Sequence, residues 1–235
     1  MNPERKIAII VGILFLVALI FNIVAMPIYQ PILNAEDFLT NAYPAKIKII
    51  IGILIDFICI PAIVLIPIML FPILKKYNES LALGYVVFRA IEGVMFILSL
   101  IGYMSLLSLS KIYLSSGLVD SSYYQAIGNS IKAGNCWLFL MYITFFAFGA
   151  MILNYLLYKS KLVPRFISIW GFAAALFMLT GAVIGMFGIF DPIKIMTVCG
   201  PPIGLNEFVL LFWLLIKGFN KSESILNTIS KKEKL

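Results

Sequence analysis

Histidine is absent from the 235 residues, and charged side chains make up only 12% of them. Without histidine there is no haem ligation through imidazole, no Ser–His hydrolysis, no HExxH zinc proteolysis and no histidine-dependent intramembrane protease. Acidic groups are as scarce: Asp56 is the only aspartate deep inside an apolar run, so neither a two-aspartate protease nor an aspartate-rich prenyl-transfer motif can be assembled. No apolar run holds a lysine suited to a retinal Schiff base, and no glycine-rich phosphate loop is present. No cofactor and no direct use of ATP are therefore expected. The three cysteines, Cys59, Cys136 and Cys199, are an odd set. Cys136 and Cys199 fall toward the same end of the molecule, but free thiols are the expected state.

What the chain has in abundance is apolar length. Its residues are 62% apolar with a mean hydropathy of +1.04, against roughly 45–50% apolar in soluble domains. Crossing a hydrocarbon layer of about 30 Å takes about 20 residues of helix. Six stretches meet that length, at 7–27, 47–74, 83–109, 134–158, 166–190 and 203–219. The reading is an all-α integral membrane protein, a six-transmembrane-helix bundle forming a single membrane domain over 1–235. The first stretch is too long for a signal h-region and lacks an A-x-A site, so it reads as an uncleaved helix. Every connection is short except 110–133.

Lysine and arginine placement sets the expected orientation. Arg5, Lys6, Lys75, Lys76, Lys159, Lys161, Arg165, Lys217, Lys221, Lys231, Lys232 and Lys234 fall on one side, and Lys46, Lys48, Lys111, Lys132 and Lys194 on the other. Both termini are thus expected in the cytoplasm, with the protein multi-pass in the cell membrane. The net charge of +7 sits in juxtamembrane loops beside anionic headgroups, which makes the lipid bilayer the partner and excludes nucleic acid.

Two helices carry special chemistry. In the second span, Pro61, Pro67 and Pro72 each remove a backbone donor and crowd the preceding turn, so a bend or local break is expected. Gly181 and Gly185 of the fifth span have the small-xxx-small spacing of close helix packing.

The third span breaks the apolar pattern with "FRAIEGVMF", residues 88–96. At about 100° per residue, Tyr85, Arg89, Glu92, Ser99 and Tyr103 fall within about 40° of one line. That face cannot look at lipid, because a mid-bilayer charge costs at least about 2.5–3.5 kcal/mol. Its candidate partners are Asp56 in the second span and Glu207, beside Asn206, in the sixth, with hydrogen bonds from Asn22, Asn135 and Tyr142. Three carboxylates against one guanidinium is an unfavourable excess, to be relieved by a shared proton, a bound cation or a water path. The alternative is a structural Arg89–Glu92 clasp with Asp56 and Glu207 hydrated near the surface.

The segments "LKKYNESLALGYVVFRAIEGVMFI", "YKSKLVPRFISIWGF" and "NEFVLLFWLLIKGFN" resemble a bacterial and archaeal family of multi-pass membrane proteins known as domain of unknown function 4386. The resemblance implies a membrane fold and implies that Arg89, Glu92, Lys161, Pro164, Arg165 and Glu207 match the family's pattern, without implying an activity. Three functions follow from the residues. The first is binding or transport of a small solute or cation with proton coupling, Arg89 acting as counter-ion and Glu92, Asp56 and Glu207 as proton or cation sites. The second is a non-transporting accessory, immunity or stress protein whose polar cluster only locks the bundle. The third is an intramembrane lipid enzyme using a carboxylate without metal, for which no nucleophile and base stand at helical spacing.

Overall fold

The computed structural model describes residues 2–117 and 121–220. Six long helices, α1 (Pro3–Leu33), α3 (Lys46–Leu74), α4 (Glu79–Ser115), α5 (Ser121–Ser160), α6 (Arg165–Met186) and α7 (Pro192–Ile216), are joined by short turns, with a single-turn helix α2 (Phe38–Asn41) between the first two. All six are long and apolar enough to cross a membrane. Each packs on its sequence neighbour, and α7 returns to pack on α1, so the six close into a ring. In lipid such packing rests on van der Waals fit and close backbone approach. Gly12 of α1 provides one such approach, since a Cβ there would lie 2.7 Å from Leu215 Cγ. Gly181 and Gly185 do the same for α6, against Cys199 and against Ile195 and Leu140. Cys59, Cys136 and Cys199 are all free.

Arg5 ties the ring shut. Its Nη1 donates to Leu214 O (2.8 Å) and its Nη2 to Leu215 O (2.6 Å) and Ile216 O (3.3 Å), the last carbonyls of α7. A cation there also opposes the partial negative charge of the helix end. Lys76 pairs with Glu4 at 3.2 Å, and Asn220 donates to Leu162 O and Lys161 O. The described cationic turns Lys75–Lys76 and Lys161–Arg165 therefore share one end of the bundle with the start of α1 and the end of α7. Lys221, Lys231, Lys232 and Lys234 lie outside the described residues.

Several boundaries differ from the hydropathy reading, and the differences have physical causes. The expected long connection 110–133 is largely helix: α4 continues to Ser115 and α5 begins at Ser121. A polar helix can continue beyond the apolar layer when something packs on it, and here the α1–α3 connection does so. Ser110 Oγ donates to Leu39 O at 2.8 Å and accepts from Tyr43 N at 3.0 Å, while Lys132 Nζ donates to Ala35 O at 2.8 Å and lies 4.1 Å from the centre of the Phe38 ring. The last span begins at Pro192 rather than 203, and runs through Pro201 and Pro202. α6 stops at Met186, short of 190, where Gly188 takes a positive φ of 71°. α3 stays helical through all three of its prolines, which rules out the local break.

The buried apolar side chains are not distributed evenly. Near the Arg5 end all six long helices contribute to one plug, including Phe15, Leu70, Tyr85, Leu157, Ile167 and Leu214. Toward the opposite end the core divides into two clusters. One is built by α1 to α4, including Tyr29, Ile53 and Leu106, with the nearby part of α5 packed on it. The other is built by α5 to α7, including Ile143, Met178 and Ile203. The polar residues of α4 lie where the plug ends and the core divides.

Candidate functional site

The stripe on α4 does reach the interior of the ring, and it serves two cavities rather than one. The larger, about 450 Å³, takes lining residues from all six long helices and holds Arg89, Glu92 and Glu207. The smaller, about 50 Å³, holds Asp56, Tyr29, Gln30, Ser99 and Tyr103, with room for at least one water. Asn22, Phe96, Tyr142 and Met196 line both and form the wall between them. The α4 periodicity explains the division: Arg89 and Glu92 open onto the larger cavity, Ser99 and Tyr103 lie about two and three turns on beside the smaller, and Phe96 stands between.

Arg89 and Glu92 are 4% and 1% exposed and form an ion pair, Nη1 to Oε2 at 2.9 Å. The arginine stem runs past Gly149 of α5, where a Cβ would come 3.2 Å from Arg89 Cδ, and the guanidinium carbon lies 5.5 Å from the centre of the Phe146 ring, within cation–π range. Among the described residues Arg89 Nε has no hydrogen-bond partner. Glu207, half-buried, lines the same cavity and belongs to neither salt bridge found among the described residues. With all three ionised, the larger cavity carries one negative charge in excess. Apart from Asn22, its remaining walls are largely apolar and aromatic, with Phe15, Phe96, Tyr142, Phe146 and Phe208 among them.

Asp56 is fully buried and separately held. Its carboxylate accepts from Tyr29 Oη at 2.7 Å and from Asn22 Nδ2 at 3.2 Å. Tyr29 in turn stacks edge-on against Tyr103, with centroids 5.1 Å apart. The three carboxylates read from the sequence as one group thus have different surroundings: Glu92 is ion-paired, Asp56 is hydrogen-bonded, and Glu207 has no salt-bridge partner among the described residues.

Other candidate residues lie elsewhere. Tyr85 is part of the apolar plug. Asn135 packs on Gly102 at the α4–α5 contact, where a Cβ would lie 2.7 Å from its Cγ. Asn206 faces α6 and donates to Ile167 O at 2.8 Å. There it meets residues that sequence reasoning did not single out. Asn154 of α5 and Asn206 both press against Gly171 of α6, and Ser168 is buried beside them on α6. Asn154 and Ser168 have no charge to mark them, but asparagine in the middle of an apolar helix is a usable signal, since its amide has to find partners within the bundle. A groove along the outside of α4, lined by Met104, Ser105, Ser108 and Ile112, offers a ligand little, because both serine hydroxyls donate to carbonyls of their own helix.

The fold and site define a polytopic helical membrane protein with charged residues buried in its interior. The sequence pattern of the family described as Domain of unknown function (DUF4386) matches residues 10–218, and the chain belongs to that family. No curated protein and no solved structure matches it.

Proposed function

We propose that the protein is a carrier, a single membrane domain in the cell membrane, that binds a small organic cation in the larger cavity and exchanges it for a proton. The observation that carries this reading is Glu207: its carboxylate lines an aromatic-walled cavity beside an Arg89–Glu92 pair that already balances itself. A lone carboxylate in apolar surroundings is costly, and a proton or a cationic ligand relieves it. The phenylalanine and tyrosine rings suit an ammonium or phosphonium group, and the volume lies within the roughly 300–1,000 Å³ of small-molecule sites. Asp56, held by Tyr29 and Asn22 across the shared wall, is the second proton position.

The test uses purified protein in lipid nanodiscs with tetraphenylphosphonium and its anionic twin tetraphenylborate. Wild type should bind the cation and not the anion. Glu207→Gln should keep its melting temperature and lose cation affinity at least about tenfold, about 1.4 kcal/mol. Proton release from pH-reporting proteoliposomes on adding the cation should be lost in the same variant. A wild type that binds neither ion leaves the accessory reading, in which Arg89 and Glu92 only clasp α4.

The carrier reading includes an orientation with both termini in the cytoplasm, supported by the cationic turns gathered at the Arg5 end. In a Cys136→Ser background, which removes the exposed native thiol, a cysteine after Leu235 should resist an impermeant thiol reagent in intact cells, and one placed between Gly117 and Asp120 should react. Both positions adjoin or lie outside the described residues. The reverse labelling pattern would invert the protein.

A further inference from the structure

The larger cavity is not sealed all round, and the side chains on its rim tell where it opens. Of its lining residues, those contributed by α3, α4, α5 and α6 are all buried or half-buried. The exposed ones are Ile23 (58%), Met196 (39%), Leu205 (58%) and Pro201, and all belong to α1 or α7. Those two helices touch closely where Gly12 meets Leu215 near the Arg5 end. Farther along, α1 belongs to one of the two clusters into which the core divides and α7 to the other. Gly204 of α7 lines the cavity, and a Cβ built there would meet nothing within 4 Å. Beside it neither Pro201 nor Pro202 can donate to the helix ladder, so α7 lacks two backbone hydrogen bonds along the rim. Among the described residues the rim carries no charged side chain, while Glu207 lies about one turn farther along α7 from Gly204.

We infer that α1 and α7 frame a lateral portal through which a lipophilic organic cation passes from the bilayer into the cavity. The inference rests on the carrier reading above and specifies its substrate class: a cation with enough apolar surface to dissolve in the membrane, whose charge is taken up at Glu207. With the termini in the cytoplasm, the plug of all six helices closes the inner side and the portal faces the outer half of the bilayer.

Stopped-flow binding of tetraphenylphosphonium to nanodisc-embedded protein tests this. Gly204→Phe, at a glycine whose Cβ would meet nothing within 4 Å, places a ring beside the rim and should slow both association and dissociation about tenfold or more. Gly134→Phe, at another glycine whose Cβ meets nothing within 4 Å, should leave both rates alone. Ile23→Ala combined with Leu205→Ala widens the rim and should accelerate both rates. If Glu207→Gln still loses the cation while the Gly204 and rim variants bind at wild-type rates, the cavity stands and the portal is wrong. Faster dissociation in Gly204→Phe also overturns it, because that marks a weakened site rather than a narrowed route. If the wild type binds no cation, the carrier reading fails first and the portal with it.

Discussion

Arg89→Ala should destabilise the protein by about 3–5 kcal/mol, the cost of stranding one partner of a buried ion pair. Glu92 is 1% exposed and keeps no other cation within salt-bridge distance among the described residues, so the variant buries an uncompensated carboxylate. It also leaves the space between Gly149 and Phe146 that the arginine stem fills. Lys111→Ala is the control, since Lys111 is exposed and near Tyr43 only through a ring contact of 5.8 Å. In detergent, Arg89→Ala should melt well below both Lys111→Ala and wild type and should express poorly. Replacing both partners, Arg89→Leu with Glu92→Leu, removes the stranded charge and should recover most of the lost stability. Equal melting temperatures for Arg89→Ala and Lys111→Ala would mean that the pair is hydrated and not buried.

The second large effect is expected at a residue with no functional group. A methyl group on Gly171 would collide with Asn154 Oδ1 and come within 2.5 Å of Asn206 Oδ1. Neither amide is free to turn away, because Asn154 Nδ2 donates to Ala150 O at 2.9 Å and Asn206 Nδ2 to Ile167 O at 2.8 Å. Gly171→Ala must therefore break a buried hydrogen bond or push α6 off its neighbours. Overpacking costs about 1–3 kcal/mol and an orphaned buried polar group about 1–3 kcal/mol. Together these exceed the roughly 1 kcal/mol that alanine gains in helix propensity over glycine. Gly134→Ala, with open space around it, collects the propensity gain alone. The two variants should thus shift the melting temperature in opposite directions. Matching shifts would show that the α5–α6–α7 junction yields without cost.

The spans were readable because lipid imposes one simple demand, about 20 apolar residues per crossing, and the charged stripe on α4 was readable because helical periodicity is regular. Depth and direction were harder. Asn206 is adjacent in sequence to Glu207, yet one step of about 100° turns it to α6 while Glu207 lines the cavity. Sequence alone could not choose between those faces without knowing that α7 packs between α6 and α1. Asp56 looked like a third member of one charge cluster. Its separation depends on Tyr29, a residue 27 positions away whose phenol sequence reasoning did not weigh. The helical ends of α4 and α5 were misread as a loop because polar composition marks where lipid stops, not where a helix stops. What prolongs them is contact with Phe38 and Leu39 from another part of the chain.

The Arg89–Glu92 contact also bears on how the chain reaches the membrane. A helix presented to the lipid during synthesis with one unpaired charge faces a penalty of about 2.5–3.5 kcal/mol on insertion scales, and Glu207 belongs to a helix made more than a hundred residues later. Because its charges answer one another three positions apart on the same helix, α4 carries its own neutralisation into the bilayer. It does not have to wait for the last helix to be translated. Glu207 thus arrives into an interior in which Arg89 is already paired with Glu92.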